Sequence, residues 1–273
     1  MTDFLRGNRL AFAGLIIVTL LSLTAAFAPW LAPYDPAFQQ LSQRLSGPSW
    51  RHPFGNDELG RDILSRVLLG ARVSMRVGAT VVLLSGIFGV LVGGFAAFVG
   101  GKLDTFITAV VVNSLMAFPS ILLAIALVAF LGPGLDRLIF ALTVIGWVGY
   151  ARLARGQVLK VKSLEFVEAA RALGASRQRV FFRHVLPSII QPVLVQASIG
   201  MAAAILSEAS LSFLGLGITP PNPSWGAMLN DARNHLFDAP HMVLFPSIAL
   251  VLTVLSFNFL GDAMRDWLDP KSL

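Results

Sequence analysis

Apolar residues in this chain gather into six long runs, at 10–28, 73–99, 104–131, 138–154, 189–207 and 242–260, separated by short polar breaks. A helix needs about 20 residues to cross the hydrocarbon of a bilayer. The pattern therefore predicts an all-α, polytopic membrane protein with six transmembrane helices. The fourth run is the shortest, and Arg152 and Arg155 at its end are placed to snorkel toward the interface. The first run has the look of a signal peptide, with Arg6 and Arg9 before it and Ala26-Phe27-Ala28 after it. Its apolar stretch exceeds a usual signal core, and Pro29 makes a poor cleavage context, so it reads as an uncleaved first span.

Lys and Arg near span ends set orientation. Arg152, Arg155, Lys160, Lys162, Arg171, Arg177, Arg179 and Arg183 crowd the break between the fourth and fifth runs. That assigns this break to the cytoplasm, together with 100–103 and both termini. Residues 29–72, 132–137 and 208–241 then lie outside. Arg44, Arg51, Arg61, Arg66 and Arg72 in the first outer segment run against this assignment, and the larger basic group decides it.

Composition agrees with the pattern. Of 273 residues, 55% are hydrophobic and 13% charged, about half the charged share of soluble domains. The net charge of +6 sits at span ends rather than on one face, which points to topology and lipid headgroups and away from nucleic acid. With no cysteine, disulfides and thiolate chemistry are excluded. The four histidines are dispersed, so no metal site is expected. Gly101-Lys102 is followed by Leu103 where a phosphate loop needs Ser or Thr, so no ATP hydrolysis is expected of this chain.

Span interiors hold almost no ionisable groups. Glu208 falls at the outer end of the fifth run and Asp104 at the inner start of the third, which argues against an ion-coupled secondary carrier. Neutral polar residues do occur there. Asn113, Gln191 and Gln196 are the candidates for lining a solute path, against the simpler role of joining helices. Pro119 and Pro192 are expected to loosen the third and fifth helices. Gly86, Gly89, Gly93 and Ala97 in the second run predict close packing inside one bundle.

The basic break contains EFVEAARALGASRQRVFFRHVLP, residues 165–187. It predicts a short helix over 165–173, a left-handed Gly174 after it, and Ser176 capping a second helix that Leu186-Pro187 closes. Small Ala169 and Ala170 and the carboxylate of Glu168 would sit on an exposed knuckle, suited to docking a partner.

Glu168-Ala169-Ala170, then Gly174, then Leu186-Pro187 resembles the EAA loop of permease subunits of ATP-binding-cassette importers. His184 departs from it, standing where that family often has Ile. Residues 52–75 (HPFGNDELGRDILSRVLLGARVSM), SFLGLG at 212–217, PPNPSWGAML at 220–229 and FNFLGDAMRDWLDP at 257–270 are similar to the dipeptide, oligopeptide and nickel branch, in particular its "C" permease.

The resemblance implies a type I ABC importer permease fold in a bacterial cytoplasmic (inner) membrane. It implies a heterodimer with a homologous permease, two ATPase subunits that bind ATP and Mg, and an extracytoplasmic solute-binding protein. No cofactor is expected in this chain, and Glu168, Ala169, Ala170 and Gly174 become the ATPase-coupling residues. The chain then divides into an N-terminal span with its outer segment (1–72), a core (73–262) with a cytoplasmic coupling loop (156–187), and a tail (263–273). The solute is expected to be a peptide, with nickel or a metal chelate as the alternative.

Overall fold

The computed structural model describes residues 9–268. Arg6, Asp269, Pro270 and the last residues of the tail lie outside them. Helix α1 (Arg9–Leu31) is followed by an irregular segment with one 3₁₀ turn, then α2 (Ile63–Val99), α3 (Gly101–Met116), α4 (Ser120–Leu131) and α5 (Leu135–Val161). A short helix α6 (Glu165–Ala172) leads into α7 (residues 177–188), then α8 (Ile190–Phe213), α9 (Trp225–Ala232) and α10 (His241–Leu268). No named strand occurs among the described residues.

Three boundaries differ from the sequence expectation, each for a local reason. Helix α2 begins at Ile63, well before the apolar run, because the Asp62 carboxylate caps it by accepting from Ser65 N at 2.8 Å. Residue 72 thus lies inside a helix. Helix α5 is not the shortest span but one of the longest, 27 residues. Ala151, Ala154, Val158 and Val161 carry its buried stripe past the arginines that seemed to end it. Helix α10 runs on through 263–267, so the start of the tail is helical.

The third span is not one helix. Helices α3 and α4 meet at an angle of 83° around 117–119. Pro119 has no N–H to give the carbonyl four residues back, and it disfavours helical geometry at Phe118. Pro192 acts more mildly. It sits in the first turn of α8, one turn after a break at Ile189.

Helices α2 and α5 form the closest pair. A Cβ at Gly89 would collide with the Trp147 carbonyl, and one at Gly93 with that of Ala151. The small residues therefore serve close approach within one chain. Lys162 Nζ ties the two ends together by donating to the Ala97 carbonyl at 3.0 Å. Outer faces keep Leu84, Phe88, Leu122 and Phe130 exposed, as suits helices surrounded by lipid.

Candidate functional site

Helices α6 and α7 make an elbow across one end of the bundle. Helix α6 ends on a paired backbone motif: Ala175 N donates to the Ala170 carbonyl at 3.1 Å and Gly174 N to that of Arg171 at 3.0 Å. This geometry needs a left-handed residue at the bend, and Gly174 supplies it at φ +81°. Ser176 Oγ then accepts from Arg179 N and starts the second helix.

The elbow has a dry underside and an open top. Val167, Val180, Phe181 and Val185 are buried with Val90, Ala97 and Phe98 of α2 and with Ala154, Val158 and Val161 of α5. Phe181 packs its ring against Phe95 and Phe98 at 5.4 and 5.5 Å, and the Arg171 guanidinium lies 5.3 Å from the Phe98 ring. On top, Leu173 is 88% exposed, Glu168, Ala169 and Gly174 are exposed, and a Cβ at Gly174 would meet nothing. Ala170 is a correction to the expected knuckle, since it is half-buried against the apolar underside. Leu186-Pro187 does not close the second helix either. Helical turns continue through Leu186–Ser188 and stop at Ile189.

The three path candidates do not converge. Gln196 lines a 240 Å³ cavity between α2, α4, α5 and α8, with Tyr150, Ser85, Ser120 and Ser207. Asn113 lines a separate, more open 570 Å³ pocket with Thr108, Met116, Arg152 and Arg155. Gln191 is exposed and lines neither. The break at 117–119 stands between the two pockets, with Ala117 on one and Ser120 on the other. Ser198 takes the simpler role and donates to the Phe257 carbonyl at 2.9 Å across to α10.

Arg155 does not snorkel. Its guanidinium makes a two-pronged pair with the Asp104 carboxylate of α3, at 2.7 and 2.9 Å. Arg152 meets only the Met116 sulfur at 3.1 Å, with no carboxylate in ion-pair range among the described residues.

The opposite end is built differently. Arg61 and Arg66 are buried, and both lie between Asp57 and Asp231 at 2.6 to 3.5 Å. Two of the five arginines that opposed the charge rule are thus neutralised inside the protein. Asp62 also receives His52 Nδ1 at 2.9 Å and Ser65 Oγ at 2.7 Å. Trp225 is fully buried and donates to the Val67 carbonyl at 3.0 Å, filling the space left by Gly70.

Glu208 corrects a further expectation. It is 0% exposed, and its carboxylate accepts from Ser74 and Ser212 hydroxyls at 2.8 Å each. A span does carry a buried acid, then, and its place in a hydroxyl cage joining α2 to α8 explains it. A serine four residues on, Ser212, was the only sequence signal for that cage.

These features match known proteins. Residues 89–273 fit the family described as "Binding-protein-dependent transport system inner membrane component", and residues 3–48 fit the N-terminal transmembrane domain of oligopeptide transport permease C. The dipeptide transport system permease protein DppC of Alkalihalophilus pseudofirmus is 45% identical over 98% of this chain and 88% of its own length. The glutathione transport system permease protein GsiD of Escherichia coli O6:K15:H31 is 45% identical over 97% and 88%. In fold, the chain resembles the MetNI methionine ABC transporter in its inward-facing form, with a TM-score of 0.63 at 20% identity over 74% of this chain and 96% of that one. This chain belongs to the permease family of binding-protein-dependent importers, as a C-type member of the peptide and oligopeptide branch. It is a multi-pass membrane subunit whose family works with ATPase and solute-binding partners.

Proposed function

We propose that the chain forms half of the translocation path for short peptides and couples that path to ATPase subunits through the elbow. The solute class is supported by the dipeptide and glutathione relatives at 45% identity. The coupling role rests on one observation above all: an apolar underside fixed to α2 and α5, beneath an exposed top with no side chain over Gly174. In this reading Glu168, Ala169 and Gly174 meet a groove of the ATPase, while Ala170 backs the contact from below.

ATP and Mg belong to two ATPase subunits, which do the hydrolysis. A homologous permease supplies the other half of the path, and an extracytoplasmic binding protein delivers the solute. The elbow and both termini face the cytoplasm of a bacterial inner membrane. Gln196 is the best supported of the path residues, because it lines the cavity beside the broken span. Asn113 follows from its place beside Arg152, and Gln191 has the least support. Closing of the ATPase pair moves the elbow, and the path alternates between its two openings.

The test is Gly174→Asp in the assembled transporter. A side chain strains the left-handed bend and puts a carboxylate in the docking surface. The subunit should still insert and assemble, while uptake and transport-linked ATP hydrolysis are lost. Normal uptake would remove the coupling role. Orientation is checked with cysteines at Ser176 and at Phe237, which is 100% exposed on the opposite end. The first should be labelled only from the cytoplasm and the second only from outside. Ser224 is unsuited to this purpose because it is buried.

A further inference from the structure

Arg152 lies about 14 Å short of the end of α5, by the rise of a helix, near the end of that helix's apolar stretch and against Met116 of α3. An ionisable group on a membrane-spanning helix pairs with another group or serves a solute or ion path. Its neighbour Arg155 is already satisfied by Asp104. That leaves the pocket one uncompensated cation, exposed toward the 570 Å³ space it shares with Asn113, Thr108 and Met116. Among the described residues no hydrogen bond holds the Asn113 side chain, so its amide is available to donate.

We propose that Arg152, with Asn113 beside it, binds the carboxylate of the transported solute part-way along the path. A guanidinium matches a carboxylate in two parallel hydrogen bonds, and Gly156 and Ala117 leave room for the chain that bears it. The break at 117–119 then separates this charged stop from the neutral cavity around Tyr150 and Gln196. A solute held by its carboxylate on one side has only uncharged hydrogen-bonding groups ahead of it on the other. The site favours peptides with a free carboxylate and disfavours bare divalent cations. This inference rests on the peptide reading for its solute, but its binding site can be tested without it.

The direct test uses the complete complex in phosphatidylcholine nanodiscs, without binding protein, probed by saturation-transfer NMR with N-acetylalanine and with alaninamide. N-acetylalanine should give a signal and alaninamide none. Arg152→Gln should weaken N-acetylalanine binding roughly tenfold or more, the scale of a lost charged hydrogen bond, and Arg152→Lys should fall between. Equal signals from the two probes, or no dependence on Arg152, overturn the inference. Replacing part of the lipid with phosphatidylglycerol should change nothing. Loss of the signal there would give the pocket to lipid phosphate and overturn it as well.

Uptake of dialanine by the complex with its binding protein is the second arm. Arg152→Gln should lower uptake by a similar factor while ATP hydrolysis stimulated by the loaded binding protein persists. If wild type and Arg152→Gln import dialanine equally, the inference falls and the peptide reading stands. If wild type imports none while N-acetylalanine still binds through Arg152, the peptide reading falls and the site stands. Failure of Arg152→Gln to assemble, with Arg152→Lys normal, would assign the pairing carboxylate to the other permease and overturn the inference.

Discussion

Both ends of the bundle carry arginines, but they are held in opposite ways. At the end of the 32–62 segment and α9, Arg61 and Arg66 are buried among Asp57 and Asp231, and Glu208, Ser224 and Trp225 close the space beneath. At the elbow, Arg177, Arg179 and Arg183 stay exposed, and only the apolar underside is fixed. One end is locked by polar groups that have left water, while the other keeps its polar groups free and is anchored by apolar packing. Under the proposed coupling role, the locked end would hold the bundle while the available end meets the ATPase.

The largest expected effect would break the locked end. Asp57→Ala leaves the buried guanidiniums of Arg61 and Arg66 with only the partly exposed Asp231 between them, a loss of about 3–5 kcal/mol. The melting midpoint of the purified subunit and its yield in membranes should both fall sharply. An unchanged midpoint would mean the cluster contributes little to the lock.

The sharpest comparison pairs two glycines with similar backbones, Gly60 at φ +71° and Gly174 at φ +81°. A Cβ at Gly60 would collide with the Gln40 carbonyl, whereas at Gly174 it meets nothing. Gly60→Ala should cost about 3 kcal/mol from strain and collision together. Gly174→Ala should cost only about 1 kcal/mol. Similar drops in melting midpoint would contradict the difference between the ends.

Two helix caps extend the comparison at smaller scale. Asp62→Ala removes a cap that also receives His52 and Ser65, and should cost about 2 kcal/mol. Ser176→Ala removes an exposed cap and should cost about 0.5–1 kcal/mol. Hydrogen exchange at the first turn of each helix reads both. On the same small scale as Ser176→Ala, Arg171→Gln loses its contact with the Phe98 ring, about 0.5–1 kcal/mol, with insertion unchanged.

Legibility in the sequence followed the range of the interactions. The elbow was readable because a helix, a left-handed glycine and a serine cap act within a dozen residues. Pro119 announced a weak point, but its 83° turn depends on what α3 and α4 pack against. The true length of α5 was hidden because Arg152, Arg155 and Lys160 drew attention from the stripe Ala151–Ala154–Val158 on its other face. Arg66 gave no sign of its partner, because Asp231 is far away in the chain. The cage around Glu208 was missed for the same reason, since Ser74 comes from another helix.

The glycine seam between α2 and α5 has a mechanical consequence. With backbone against backbone at Gly89 and Gly93, there is no compressible side-chain layer to absorb a push. The elbow rests on the ends of both helices at once through Val167, Val180 and Phe181. A load applied at the elbow would therefore reach both helices together, and a π-helical stretch of α2, Val90–Gly94, lies on that seam. Segment α3–α4, interrupted at Pro119, lies outside that seam and turns by 83° at its break.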